Sequence, residues 1–119
     1  MMGPHRNLLV WQKGMDLSDA IYNITETFPP RETYGLASQL QRAAVSIPSN
    51  IAERYGRSSN GEVVHFLYNS LGSSNEVDTQ LEIALRRKYI TQDQYNRIDF
   101  MNAEVNKMLR SLIHSRSQM

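Results

Sequence analysis

The chain has no cysteine and only four prolines and six glycines among its 119 residues. Without cysteine it forms no disulfide framework, no thiolate metal site and no thiol nucleophile. It also lacks an uncharged apolar run of about 18 residues, which excludes a membrane-spanning helix of the usual kind. The opening Met-Met-Gly-Pro-His-Arg has no apolar stretch of the kind found in secretory signal peptides. We therefore expect a cytoplasmic protein with no membrane partner.

The charges nearly cancel, since thirteen Lys and Arg stand against twelve Asp and Glu for a net charge of +1. Arginine outnumbers lysine, and its planar guanidinium suits phosphate and carboxylate groups equally well. So weak a basic excess permits a nucleic-acid partner without demanding one, because domains that bind nucleic acid are usually much more basic. The length predicts one domain over residues 1–119, with an ordered core of roughly 8–112 and flexible ends.

Apolar residues recur at spacings of three and four in four stretches, as in amphipathic helices. These stretches run from Val10 to Phe28, from Arg31 or Glu32 to Tyr55, from Val63 to Leu85 and from Tyr95 to Leu112. On the fourth, the predicted apolar face comprises Tyr95, Ile98, Met101, Val105, Met108 and Leu112. No stretch alternates as a strand would. Helices of similar length with short connections predict an all-α, antiparallel up-down-up-down four-helix bundle.

Local signals add detail to this bundle. Pro48 predicts that the second helix is kinked, or divided into two helices that meet near Ser46. The sequence Thr91-Gln92-Asp93-Gln94 is a capping box and predicts the start of the fourth helix. Arg86-Arg87-Lys88 ends the third helix, where its dipole favours cations. The small residues at 70 and 72–74 predict close helix packing, so Gly72→Leu is expected to overpack the core.

Residues able to carry catalysis do not form a complete set. Di-metal bundles need two Glu-x-x-His motifs on facing helices, and this chain has one, from Glu62 to His65. No serine lies in a Gly-x-Ser-x-Gly turn. Segment 56–61 offers the backbone N–H groups of a helix start, but its turn-forming residues favour a simple connection. We expect no enzymatic activity, no metal and no cofactor.

A line of polar residues follows the second helix beside its apolar face. It comprises Gln39, Arg42, Ser46, Asn50, Glu53 and Arg57. The plainest interpretation is a solvated face whose side chains pair with one another. The alternatives are a polar network at a subunit interface and a surface that contacts nucleic acid. Asn50 and Glu53 are also expected to meet backbone groups freed at Pro48.

The candidate interface or nucleic-acid residues are therefore Gln39, Arg42, Asn50, Glu53, Arg54, Arg57 and Arg110. The chain also carries more apolar surface than a single bundle needs, including Tyr34, Tyr55, Phe66 and Tyr68. Exposed apolar patches often mark interfaces, so a homo-oligomer is expected.

Residues 28–53 read FPPRETYGLASQLQRAAVSIPSNIAE. Further matching positions follow at 56–58, 62, 66–67, 71–73, 76, 80–81, 84 and 89–90. Over roughly residues 8–112 this combination resembles the bacterial four-helix bundle proteins, also called ribosomal RNA intervening-sequence proteins. Four positions differ from the family pattern: Arg54 replaces Gly or another small residue, Val63 replaces Phe, Asp78 replaces Glu, and Lys88 replaces Gly.

The resemblance implies an up-down bundle that assembles as a ring-like homopentamer, with no catalytic residues to carry over. Some members are encoded inside insertions in bacterial large-subunit ribosomal RNA genes. Relatives are accessory proteins of diversity-generating retroelements, in which a basic pentamer binds nucleic acid and a reverse transcriptase. We therefore expect a non-enzymatic oligomeric scaffold that contacts RNA or DNA through its basic residues. The alternative is a protein-interaction adaptor that binds no nucleic acid.

Overall fold

Four α-helices carry most of the chain in the computed structural model, which describes residues 3–56 and 59–118. They are α1 (Leu9–Thr25), α2 (Leu36–Glu53), α3 (Asn60–Arg86) and α4 (Gln92–Ser117). Short 3-10 turns occupy Pro4–Asn7, Pro30–Glu32 and Arg54–Gly56. No strand occurs within the described ranges, which confirms the all-α prediction. None of the helices described there has both the length and the apolar character to cross a membrane.

Hydrogen bonds between the helices show how each runs against the next. Ser18 Oγ donates to the Ala44 carbonyl at 3.1 Å, and Gln41 Nε2 donates to Thr25 Oγ1 at 2.9 Å, so α1 and α2 are antiparallel. The helices α2 and α3 are also antiparallel, since hydrogen bonds join residue 47 to 70 and residue 39 to 80. The same holds for α3 and α4, which are joined by the pairs 74–102 and 82–95. The predicted up-down-up-down bundle is confirmed, with extents of 45 × 29 × 21 Å.

The core lies where the four apolar faces meet. Its fully enclosed large side chains are Leu17, Ile21, Leu40, Ile47, Ile51, Leu67, Leu81, Ile98 and Leu109. On α4 the buried line is Ile98, Asn102, Val105, Leu109 and Ile113. Met101, Met108 and Leu112, which the sequence placed on that face, are only partly buried at its edge. The buried face of α4 is therefore rotated relative to the predicted one. The prediction counted only apolar residues and so omitted Asn102, which lies near the centre of the buried face.

Pro48 lies inside α2, which continues through it as one helix. Since proline has no N–H, the carbonyl of Ala44 loses its helical partner. Ser18 Oγ on α1 donates to that carbonyl, so a neighbouring helix satisfies the freed group. Asn50 instead donates to the carbonyl and the hydroxyl of Ser46, at 2.9 Å each. The carbonyl freed in α2 is thus satisfied by α1 rather than by Asn50.

The helix α1 packs against α2 at Gly14, where a methyl group would make ordinary contacts. A Cβ built on Gly14 would lie 3.5 Å from both Ile47 Cγ2 and Pro48 Cδ. Gly72, by contrast, is exposed and faces open space. The prediction that Gly72→Leu overpacks the core was wrong. Position 72 points away from the α3 face that holds the buried residues Ser70, Ser73 and Ser74.

The segment before α2 is organised by Glu32. The sequence placed the helix start at Arg31 or Glu32, but α2 begins at Leu36. Glu32 Oε1 accepts the Leu36 N–H at 3.1 Å, and Oε2 accepts the Tyr89 hydroxyl at 2.8 Å. These bonds, together with the charges of Arg31 and Arg87, lower the pKa of Glu32. A Cβ at Gly35 would lie 2.7 Å from Glu32 Oε1, so glycine leaves room for this carboxylate.

The turn between α3 and α4 follows two standard helix-end motifs. The predicted capping box is confirmed, since Thr91 N–H donates to Gln94 Oε1 and Gln94 N–H donates to Thr91 Oγ1. The end of α3 is a Schellman motif, with Tyr89 N–H donating to the Ala84 carbonyl and Lys88 N–H to the Leu85 carbonyl. Lys88 therefore adopts φ 63°, a left-handed conformation that glycine occupies more readily.

This backbone geometry predicts that Lys88→Gly is more stable than Lys88→Ala by about 1 kcal/mol, because a Cβ is strained in the left-handed region. The two variants lose the same charge near the helix end, so the helix dipole affects them alike. Urea denaturation followed by circular dichroism measures the difference. Equal midpoints for the two variants would show that Lys88 is not strained.

Candidate nucleic-acid interface

Part of the polar line on α2 borders a shallow groove of about 240 Å³ between α2 and α3. The groove is lined by Gln39, Arg42, Ala43 and Ser46 from α2 and by Ser73, Glu76 and Gln80 from α3. Ser46 Oγ accepts from Asn50 Nδ2 at 2.9 Å and from Ser73 Oγ at 2.8 Å. Asn50 thus belongs to a polar network that joins two helices of one protomer.

Arg42 is the accessible cation of this groove. Its side chain is exposed, and within residues 3–56 and 59–118 no carboxylate forms an ion pair with it. Gln39 beside it is also exposed and accepts from Gln80 Nε2 at a long 3.5 Å. These two side chains are free to contact a ligand at the α2–α3 surface, although Glu76 lines the same groove and opposes an anion there.

Arg54 occupies a different environment. It is only 7% exposed, its Nη2 donates to the Tyr55 hydroxyl at 3.1 Å, and its guanidinium carbon lies 4.7 Å from the centre of the Tyr55 ring. Its Nε and Nη1 are buried, with no hydrogen-bond partner among the residues that the structure describes. In this conformation Arg54 does not present its charge to solvent. Of the other candidates in this region, Glu53 is exposed and Arg57 lies outside the described residues.

Arg110 stands at the outer end of a chain of hydrogen bonds between α3 and α4. At the inner end, buried Ser74 Oγ donates to Asn102 Oδ1 at 2.9 Å, and Asn102 Nδ2 donates to the Ser74 carbonyl at 3.0 Å. Asn106 Nδ2 donates to Ser74 Oγ at 3.1 Å and Arg110 Nε donates to Asn106 Oδ1 at 3.0 Å. The sequence did not identify Asn102, although its spacing with Ile98, Val105 and Leu109 places it on the buried face.

The electrostatic surroundings of Arg110 are acidic. Asp78 lines the same α3–α4 groove as Arg110. Further along these helices, desolvation and the charges of Asp78 and Glu82 raise the pKa of Asp99. Desolvation and the charges of Asp99 and Glu82 likewise raise the pKa of Tyr95. A phosphate group approaching Arg110 would therefore meet the carboxylate of Asp78 in the same groove.

A more basic surface lies at the end of the bundle that holds the α3–α4 turn. Arg86, Arg87 and Lys88 are exposed there. The structure brings exposed Arg31 to the same place, with its guanidinium carbon 5.9 Å from the centre of the Tyr89 ring. The sequence showed the run 86–88 but gave no sign that Arg31 approaches it. The contacts of Tyr89 with Arg31 and Glu32, distant in sequence, create this surface.

Possible metal ligands do not converge in the parts of the chain described. No group of three or more His, Asp and Glu side chains there is arranged to hold a metal ion. His65, the histidine of the single Glu-x-x-His motif, is exposed and lies 3.5 Å from Asn69 Nδ2 through its Nε2. Glu62 instead serves the start of α3, where its backbone N–H donates to the Ser59 hydroxyl at 3.1 Å.

Comparison with known proteins supports the resemblance carried by residues 28–53. The family model described as 23S rRNA-intervening sequence protein matches residues 6–111. The chain is 29% identical, with a TM-score of 0.82, to a protein of unknown function from the S23 ribosomal protein family of Bacteroides thetaiotaomicron VPI-5482, known from a crystal structure. That similarity covers 88% of this chain and 98% of the other. No curated protein matches. Because the family model spans most of its length, the chain belongs to the 23S rRNA-intervening sequence protein family.

Proposed function

We propose that this chain is a non-enzymatic scaffold whose copies assemble into a ring-like homopentamer, and that the ring contacts RNA or DNA through its basic residues. The observation that carries the proposal is an asymmetry of the bundle surface. The surfaces of the grooves on both sides of α1 are mostly apolar, whereas the grooves on both sides of α3 are lined mainly by polar and charged residues. A monomer would leave the apolar side in water.

The groove between α1 and α2 has a volume of about 430 Å³. Its apolar lining comprises Trp11, Met15, Tyr22, Val45, Pro48 and Ala52. Met15 and Tyr22 are 41% and 47% exposed. The groove between α1 and α4, of about 600 Å³, is bordered by Leu9, which is 55% exposed. Covering these side chains with another protein surface removes apolar area from water, which stabilises the assembly by about 25 cal/mol for each Å² buried.

A closed ring needs two different surfaces that meet head to tail. Other exposed apolar side chains lie on α3 and α4, among them Tyr68, Ile83 and Phe100. Contact between the α1 grooves and a different surface of the next copy is head-to-tail, unlike a two-fold dimer, in which one patch meets its own copy. The number of copies, five, is taken from the family resemblance.

The nucleic-acid part of the proposal draws on the family description, which refers to 23S rRNA. It also draws on the ring, which would repeat the basic residues of one protomer in every copy. One protomer carries a net charge of only +1. A ring presents the same exposed arginines, such as Arg42, several times around one axis. Repeated cations raise the local positive potential and release more counterions from bound phosphates than one protomer does. The proposal of a non-enzymatic role rests on the sequence, which contains no complete catalytic set.

Two measurements on the purified full chain test this function. Light scattering is expected to give about five times the 13.7 kDa of one chain. Filter binding with RNA and DNA is expected to show affinity that falls between about 50 and 200 mM salt, because phosphate contacts release counterions. A particle of single-chain mass would contradict the assembly. Absence of salt-sensitive binding at micromolar protein, with a protein partner that co-purifies after nuclease treatment, would favour the adaptor alternative instead.

A further inference from the structure

The end of the bundle at the α3–α4 turn collects basic side chains from two segments that are distant in sequence. Arg86, Arg87 and Lys88 come from the end of α3, and Arg31 comes from the 3-10 turn before α2. The bond from the Tyr89 hydroxyl to Glu32 Oε2, 2.8 Å long, fixes the two segments together. Arg31 and Arg87 are both close enough to Glu32 to act on its charge.

Most of this positive charge is available to a ligand. Within the described ranges, neither Arg31 nor Arg87 nor Lys88 has an ion-pair partner. Arg86 Nε pairs with Glu82 at 2.9 Å, and Glu32 offsets one further charge while both of its oxygens accept internal hydrogen bonds. These four basic and two acidic residues carry a net charge of +2, and Asp93 in the first turn of α4 is a third acidic residue near the turn.

Tyr34 adds an aromatic ring to this surface. It is 96% exposed and makes no ring contact with another described residue. Because it follows Glu32 by two residues, its backbone lies within about 7 Å of the Glu32 backbone, next to the basic group. An exposed aromatic side chain beside cations is the arrangement on which unpaired bases stack in single-stranded nucleic-acid sites.

Helix stability accounts for only part of this arrangement. The α3 dipole favours cations near its last turn, which explains basic residues at 86 and 87. The dipole also favours a cation at 88, although the left-handed backbone there favours glycine. It explains neither the exposed ring of Tyr34 nor the presence of Arg31 from another segment. Strained non-glycine residues cluster at functional sites, so Lys88 is consistent with a role for its charge.

We propose that the basic turn surface, defined as Arg31, Tyr34, Arg86, Arg87 and Lys88, binds single-stranded nucleic acid. Its cations contact the phosphates and the Tyr34 ring stacks on a base. This proposal rests on the nucleic-acid contact proposed above, and it locates that contact at the α3–α4 turn rather than at Arg42 or Arg110. Both of those lie in grooves that also hold acidic side chains.

The test measures fluorescence anisotropy of the full chain with labelled 20-nucleotide oligouridine and oligothymidine, and with a duplex of the same length. Arg87→Gln combined with Lys88→Asn removes two charges, and asparagine tolerates the left-handed backbone. The plot of log affinity against log salt is expected to become shallower by about 1.4 for each bound protomer, since one single-strand phosphate contact contributes about 0.7. Tyr34→Leu is expected to weaken single-strand binding about tenfold, whereas Tyr34→Phe keeps it within about twofold.

Arg97→Gln combined with Arg110→Gln is the charge-matched control, because both side chains are exposed, line neither apolar groove beside α1 and lie outside the basic turn surface. It is expected to keep the affinity within about twofold. If this control weakens binding as much as the Arg87/Lys88 variant, only net charge matters and the proposed surface is overturned. If the wild type binds but the Arg87/Lys88 and Tyr34→Leu variants bind equally well, the surface is overturned while the proposed function stands.

Three other results have a definite meaning. A wild type that binds none of the three probes overturns both the surface and the nucleic-acid function. Binding of the duplex as tightly as the single strands, unchanged by Tyr34→Leu, overturns the stacking role. Binding of poly-glutamate with the same affinity and the same response to the variants shows an acidic-protein site and overturns the nucleic-acid assignment. Circular dichroism melts of every variant confirm that lost binding is not lost folding.

Discussion

Asn102→Leu is expected to lower the free energy of unfolding by about 2–4 kcal/mol, because it breaks a buried polar pair and leaves one partner unsatisfied. Asn102 is 3% exposed and Ser74 is fully buried. Two hydrogen bonds join them, from Ser74 Oγ to Asn102 Oδ1 and from Asn102 Nδ2 to the Ser74 carbonyl. In the variant the Ser74 hydroxyl loses its acceptor in an apolar environment. Urea denaturation of the wild type and variant at equal protein concentration measures the effect.

A double-mutant cycle separates this network from simple packing. Ser74→Ala removes the hydroxyl that has lost its acceptor, so the Ser74→Ala/Asn102→Leu variant is expected to lose at least about 1 kcal/mol less than the two single losses combined. The more exposed Asn106→Ala is expected to cost only about 0.5–1.5 kcal/mol, since water replaces its hydrogen bonds. If Asn102→Leu unfolds at the same urea concentration as the wild type, or if the cycle is strictly additive, the pair does not stabilise the bundle.

The sequence predicted the parts of this fold that depend on local chemistry. The capping box at Thr91 follows from hydrogen-bonding groups within a few residues, and it appears as expected. The face of α4 was misjudged because Asn102 is polar, and a pattern search for apolar residues passes over it. Its burial depends on Ser74, 28 positions away, which supplies its hydrogen bonds.

The candidate site was harder to predict, because exposure and electrostatic surroundings are tertiary properties. The spacing of Arg42 correctly placed it on the polar side of α2. Nothing in the sequence distinguishes it from Arg54, which the structure buries against Tyr55. The acidic surroundings of Arg110 and the approach of Arg31 to the α3–α4 turn depend on the packing of separate segments. The exposure of Gly72 could not be predicted for the same reason, since it depends on which side of α3 packs against the other helices.

Val45→Glu is expected to convert the oligomer into single chains. Val45 lines the apolar groove between α1 and α2 and is 39% exposed, so a glutamate there points into water in the isolated protomer and leaves the fold intact. In the ring each interface would bury one unpaired carboxylate, and such burial costs several kcal/mol. Light scattering is expected to report the mass of one chain, while circular dichroism shows unchanged helix content.

Val45→Leu is the matched control, because it keeps the groove apolar and is expected to preserve the oligomer. The pair also connects assembly to nucleic-acid binding. A ring engages one strand through several copies of the same weak surface, and the loss of such multivalency lowers affinity by about 10²–10⁴-fold. Val45→Glu is therefore expected to weaken oligouridine binding to that extent without removing any cation. An oligomer that persists in Val45→Glu would place the interface elsewhere on the bundle, and unchanged binding by a monomeric variant would show that one protomer suffices.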